Sequence, residues 1–200
     1  MKTITVTINT YTFSELSEKA KDKARQCYHN AYMSDEHWHE FIIDAAKEVG
    51  KILGFDIDKV YFSGFSSQGD GASWAGGYEY VKGAPAAVAS YTGNDAELIR
   101  IAHGLQDIQR RHFYKLVASV SRAGYYCHSH TMRTDVEDCT DPYRDVSDTE
   151  EDLLELFRDF ADWIYKNLRE EYEFMTSDPV IEEAFDANSV AFDADGNIVR

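Results

Sequence analysis

The residues best suited to chemistry lie in one run: Tyr61, Phe62, Ser63, Gly64, Phe65, Ser66, Ser67, Gln68, Gly69, Asp70, Gly71, Ala72, Ser73 and Trp74. Glycine permits positive φ and close backbone approach, so such a run can turn several N–H groups toward an anion. It is not a P-loop, because no Lys-Ser or Lys-Thr pair follows the glycines to reach terminal phosphates or hold magnesium. It is not a nucleophile elbow either, because Gly64, Phe65, Ser66, Ser67, Gln68 lacks the second glycine. Two readings remain. The run is the turn-rich connection of a hairpin, or Ser66, Ser67, Gln68 and Asp70 touch a ligand or partner, with Trp74 and Phe65 as aromatic flanks.

The other reactive side chains are scattered. His37 and His39 stand two apart on a predicted helix and point to different faces. His128 and His130 share one face of a predicted strand beside Cys127, and Cys139 is the only further candidate ligand. A structural zinc wants four ligands, so no metal site is expected. The carboxylates are too numerous to single out an acid/base pair, and no catalytic residue and no cofactor is assigned. Arg110, Arg111 and Lys115 form a basic cluster too short for a nucleic-acid footprint, so direct nucleic-acid binding is not expected.

Charge is the second strong signal. The net charge is −16, and residues 1–134 balance 15 acids with 15 Lys and Arg. Residues 135–200 hold 21 acids against 5 basic residues, so the whole excess lies in the last third. A field of this sign repels nucleic acid and acidic membranes and steers basic partners in. Asp135, Glu137, Asp138, Asp141, Asp145, Asp148, Glu151 and Glu155 are the expected partner-binding residues. Such a row can imitate the phosphates of a nucleic acid or neutralise a basic toxin. The plainer alternative is a solvated surface that keeps a small protein in solution.

These residues need a scaffold. Thr3 to Asn9 reads as a strand, and Thr12 with Glu15 reads as a capping box opening a helix. A second helix is expected from Ser34–Asp35, strands over 60–65 and 72–81, and then an Ala-rich linker. A helix is predicted from Asp95, a strand from Phe113 to Val120, and an antiparallel partner within 125–136. Residues 137–148 read as an exposed acidic loop. A long amphipathic helix over 149–175 carries Leu153, Leu156, Phe157, Phe160, Trp163, Ile164, Leu168 and Tyr172 in one stripe. Asp178 and Pro179 predict the start of a short helix, and the end reads as a hairpin around Gly196. The sum is an α+β fold: one domain over residues 1–200, with an antiparallel or mixed sheet packed by helices. Three unpaired cysteines suit a reducing cytosol, and no apolar run approaches a membrane span, so a cytoplasmic protein is expected.

Three stretches resemble small phage and prophage proteins: residues 11–24, the segment from Phe62 to Trp74, and the tail from Arg158 to Asp178. Members of that group are often labelled hypothetical, or antitoxin of a toxin–antitoxin stability system. The resemblance covers most of the chain and implies a phage origin with a host-directed or neutralising role. It carries over no catalytic residue. The resulting expectation is an acidic, phage-encoded protein that inhibits or neutralises a basic host or toxin protein. The alternative is a small-molecule or nucleotide-binding protein, with or without enzymatic activity, that uses the Ser66–Gly71 loop.

Overall fold

The computed structural model describes residues 9–35, 37–141 and 144–199, so the strand expected over Thr3–Asn9 lies outside it except for Asn9. The fold is α+β, with a four-stranded antiparallel sheet and a long amphipathic helix toward the C-terminus. The chain groups into two compact units, residues 40–169 and residues 1–39 with 170–200.

The larger unit begins with α1 (Glu40–Leu53), whose apolar face buries Ala46, Val49 and Leu53. Gly54 ends it at φ +95°, where a side chain would meet the Glu79 carbonyl oxygen. The turn is therefore restricted to glycine. Strand β1 (Phe55–Phe62) follows at once, earlier than the sequence pattern indicates, because Asp56 and Asp58 are the outward positions of an alternating strand. It pairs with β2 (Ala72–Glu79), and an irregularity between Ile57 and Lys59 turns Lys59 outward.

Two helices separate β2 from its other neighbour. The alanine-rich stretch is α2 (Ala84–Tyr91), not a linker; Pro85 sits in its first turn, where a missing N–H costs nothing. Helix α3 (Ala96–Arg111) starts where expected, because the Asp95 carboxylate accepts from the Glu97 and Leu98 amides at 2.9 and 3.1 Å. Strand β3 (Leu116–Arg122) begins three residues later than the pattern suggests. Phe113 and Tyr114 are left-handed at φ 53° and 62°, and the buried Gln109 side chain bonds both the N–H and the C=O of Leu116. Strand β4 (Met132–Asp138) completes the order β1-β2-β3-β4.

One face of this sheet is the core. Phe55, Trp74 and Tyr78 meet Phe157 and Phe160 of α4 (Ser147–Met175) with ring centroids 5.0 to 6.4 Å apart. Aromatic pairs in this range add about 0.5–1.5 kcal/mol each beyond their buried area. The indole N–H of Trp74 donates to the Phe157 carbonyl at 3.1 Å. Trp74 is fully buried, which corrects its assignment as a loop contact: it lies on the inward side of β2, paired with Val60. The opposite face of the sheet carries exposed Asp56, Lys59, Ser119, Asp135 and Glu137.

His112, at the end of α3, reaches Thr149 at the start of α4, with Nε2 and Oγ1 3.0 Å apart in a buried setting. Burial holds the His112 imidazole below its ordinary pKa, and Arg144 and Arg111 push the same way against Asp138. The unfolded chain therefore takes up the His112 proton first. This contribution to stability is complete above the unfolded value of about 6.5 and declines as pH falls through it toward the lowered folded value. Urea unfolding at pH 7.5 and pH 5 should show a smaller loss of stability on acidification for His112→Gln than for the unsubstituted chain.

In the smaller unit, Thr12 and Glu15 do form a capping box, but it closes only a 3₁₀ turn (Phe13–Glu15). The α-helix that follows, α5 (Glu18–Ser34), has Ser17 as its cap and continues through Ser34, so the second helix expected from Ser34–Asp35 is present but starts only at Glu40, as α1. Helix α6 (Asp178–Ala187) is preceded by Ser177 at the cap position, with Asp178 its first residue. Phe13, Leu16, Ala20, Ala24, Ile181, Phe185 and Phe192 make this unit's core, and Phe192 pairs with Tyr11 and with Ile198 of the terminal hairpin. Arg25 ties α5 to α6 through Asp178 and Glu182 at 3.3 and 2.9 Å. Among the described residues, no helix is long and apolar enough to cross a membrane.

Candidate functional site

The glycine-rich run is the connection between β1 and β2, so the hairpin reading of this segment is what the fold contains. Ser63 N–H donates to the Gly71 carbonyl at 3.1 Å, which carries the strand pairing one step further. Beyond it the loop closes on its own aspartate. One Asp70 oxygen accepts from the Ser66 and Ser67 amides at 3.0 and 2.6 Å, and the Asp70 amide returns a bond to the Ser67 carbonyl. The amides of Ser67 and then Ser66 hold the Asp70 carboxyl below the ordinary carboxylate range, so it stays charged at neutral pH. Helix α4 buttresses the loop: the Tyr165 hydroxyl donates to the Gly64 carbonyl at 2.9 Å, and its ring lies 5.5 Å from that of Phe65.

The second wall comes from the connection between β3 and β4. Arg122, the last residue of β3, donates through Nη1 to the carbonyls of Tyr125 and Tyr126 at 3.2 and 2.9 Å and points toward the Cys127 sulfur. Its guanidinium carbon sits 4.4 Å from the centre of the Tyr61 ring, and the Lys59 amine stands 4.9 Å from the same ring. Cation–π contacts of this kind contribute about 0.5–1 kcal/mol where water reaches them. Two glycines let the walls meet. A Cβ on Gly69 would lie 2.8 Å from the Tyr126 ring, and one on Gly71 would lie 2.6 Å from the Cα of His128. At Gly71 the obstacle is backbone, so only a residue without a side chain fits there; at Gly69 a methyl would push the Tyr126 ring from its place.

Between the walls is a cleft of about 550 Å³, within the size range of small-molecule sites. Its polar lining includes Ser63, Ser67, Asp70 and Arg122, and its aromatic side is Tyr125 and Tyr126. Tyr125 is 90% exposed and Tyr126 59%, so both rings face solvent rather than the core. The site offers flat aromatic faces, a guanidinium and an ionised carboxylate within one recess.

Of the loop residues expected to make contacts, Ser67 and Asp70 line the cleft, Ser66 spends its amide on Asp70, and Gln68 is exposed. Trp74 belongs to the core. Sequence reasoning missed Arg122, Tyr125, Tyr126 and Cys127, which arrive from more than fifty positions away. The available signal was local: two adjacent tyrosines after Gly124, bracketed by Arg122 and Cys127.

The acidic residues do not form one row. Asp135 and Glu137 are exposed on edge strand β4, which corrects the loop expected from residue 137. Asp138 faces inward, where it accepts from the Thr140 hydroxyl and amide at 2.6 and 2.9 Å and pairs with Arg144 at 3.3 Å. It is a structural anchor and not a partner contact. Asp141 follows the strand, and its carbonyl accepts from the Arg144 amide at 3.0 Å. Asp145 accepts from the Ser147 hydroxyl and amide at the start of α4. Glu155 pairs with Arg158, Asp152 with Arg111 and Asp159 with Arg100, at 2.7 to 3.1 Å. Asp148 and Glu151 are exposed and, with Asp135 and Glu137, form no ion pair among the described residues.

His128 and His130 do not share a strand face. His128 precedes a 3₁₀ turn (Ser129–Thr131) that contains His130, with rings 6.1 Å apart. Among the described residues, no group of three His, Cys, Asp or Glu side chains converges to hold a metal ion.

A family model described as a domain of unknown function, DUF8835, matches residues 38–178, and the chain belongs to that family. That span contains both walls of the cleft. No curated protein and no solved structure matches the chain.

Proposed function

We propose that this member of the DUF8835 family is a binding protein whose ligand seat is the cleft between the Ser63–Gly71 loop and the Arg122–Cys127 segment. The observation that carries the reading is the pairing of Gly69 with Tyr126 and of Gly71 with His128. Loops otherwise free to separate are in van der Waals register, which leaves Tyr125 and Tyr126 exposed beside a guanidinium and a carboxylate. Aromatic side chains left in water beside convergent polar groups are what a small planar ligand needs. A thermal-shift screen of small metabolites tests this. A true cleft ligand raises the melting temperature of the unsubstituted protein, and the rise is lost in Tyr125→Ala. That variant alone should melt unchanged, because Tyr125 is almost fully exposed. A screen whose hits keep their full effect in Tyr125→Ala counts against the cleft.

A second reading is the acidic protein of phage type that neutralises a basic host or toxin protein in the cytoplasm. It is favoured by Asp135, Glu137, Asp148 and Glu151, which remain exposed without an internal cation. Of the expected contact residues, Asp138 and Glu155 are taken up by Arg144 and Arg158, so this reading rests on fewer carboxylates than the charge total implies. Binding of this kind weakens steeply as ionic strength rises.

A further inference from the structure

We infer that the cleft takes a nucleoside phosphate, with the flat base against Tyr125 and Tyr126 and the phosphate at Arg122. This deepens the small-molecule reading above and rests on it. On a chain of net charge −16, Lys59 and Arg122 stand over the same Tyr61 ring, and neither has an acidic partner among the described residues. Arg25, Arg100, Arg110, Arg111, Arg144 and Arg158 each meet a carboxylate, whereas Arg122 brings its guanidinium into the cleft without one among the described residues. Arg122 lines the cleft itself, and Lys59 contacts the same Tyr61 ring outside it, so positive charge gathers at this end of the recess and favours an anion.

Geometry then orders the ligand. Arg122 is held in place by its Nη1 bonds to the Tyr125 and Tyr126 carbonyls, and its planar fork suits a phosphate. The same bonds fix the backbone that carries the two exposed tyrosines, so the cationic and aromatic parts of the site move as one piece. Aromatic side chains stack on any base, because every base presents a π-face. Asp70 completes the recess. Its carboxylate is ionised and preorganised by the Ser66 and Ser67 amides, so it repels a phosphate and accepts from sugar hydroxyls or a ring amine. A phosphate for Arg122, a flat base for the tyrosines and a hydrogen-bond donor for Asp70 are all present in one nucleotide. A neutral aromatic would leave the cations unused. A simple anion would leave the rings unused.

The test is calorimetric titration of the full chain with each common nucleoside, its 5′-monophosphate and inorganic phosphate. The expected result is that at least one nucleoside monophosphate binds about ten-fold or more tighter than its nucleoside, the gain of charge-assisted hydrogen bonds. Arg122→Gln should bring nucleotide and nucleoside to equal affinity. Lys59→Gln, an exposed change that keeps the loop contacts of Arg122, should reduce the same preference several-fold. Tyr125→Ala should weaken both ligands together. Equal affinity of nucleoside and nucleotide for the unsubstituted protein overturns the phosphate assignment. If no nucleotide binds at millimolar concentration while an uncharged aromatic still stabilises the protein through Tyr125, this inference falls and the small-molecule reading stands. If no compound acts through Tyr125, both fall.

Discussion

Trp74→Ala should lower the unfolding free energy by about 3–5 kcal/mol, the cost of deleting a fully buried large aromatic. The loss exceeds that of an ordinary core position, because Trp74 also bonds the Phe157 carbonyl and packs against Phe55, Phe157 and Phe160. Trp74→Phe keeps a ring in the core but removes the indole N–H and part of the ring volume, and should cost less than the alanine change, about 1–3 kcal/mol. Urea unfolding followed by far-ultraviolet circular dichroism gives both values. A loss below about 1 kcal/mol for the alanine variant would mean that β2 does not anchor α4 as described. The same strand carries Gly71 and Ala72 into the loop, so its docking on α4 also sets the position of the site.

Gly71→Ala should act in the opposite way, with a small effect on stability and a large one on binding. Its added methyl would meet the Cα and Cβ of His128, and a backbone carbon cannot rotate aside as a side chain tip can. The segment carrying Tyr125, Tyr126 and His128 must therefore shift, which moves the exposed rings away from the loop residues they face across the cleft. Affinity for a cleft ligand should fall by at least ten-fold, while the melting temperature drops only a few degrees, because the loop lies outside the sheet core. Gly77→Ala is the control: a Cβ there has its nearest contact at 3.8 Å, from the Ala118 carbonyl oxygen, and binding should be retained. Equal loss in both variants would show a general weakening of the sheet rather than an effect at the site.

The sequence revealed much of this architecture wherever periodicity or a cap was strong. Asp95 marked the start of α3, and the stripe from Leu153 to Leu168 marked α4. It misled where a local pattern met a tertiary cause. Ala84–Tyr91 reads as linker because small residues have no clear face, yet Pro85 and buried Val88 make it a helix. Phe113 and Tyr114 read as strand by composition, but the Gln109 side chain captures Leu116 and starts the strand there. The glycine run was recognisable as a site candidate from its composition. Its partner wall was not, because the pairing of β2 with β3 spans two helices and nothing in the local sequence couples Gly69 and Gly71 to Tyr126 and His128. Net charge proved the least transferable signal, since it does not say which carboxylates meet an arginine. Asp138, Asp152, Glu155 and Asp159 do.

The claim that this fold builds a ligand seat between two loops is tested most directly by amide chemical-shift mapping of the labelled protein during ligand titration. The expected map has its largest shifts at Ser67, Gly69, Asp70 and Gly124 through Cys127, with Asp135, Glu137 and Glu151 unmoved. A map in which ligands leave both loops unshifted, or move only the β4 and α4 carboxylate positions, would contradict it.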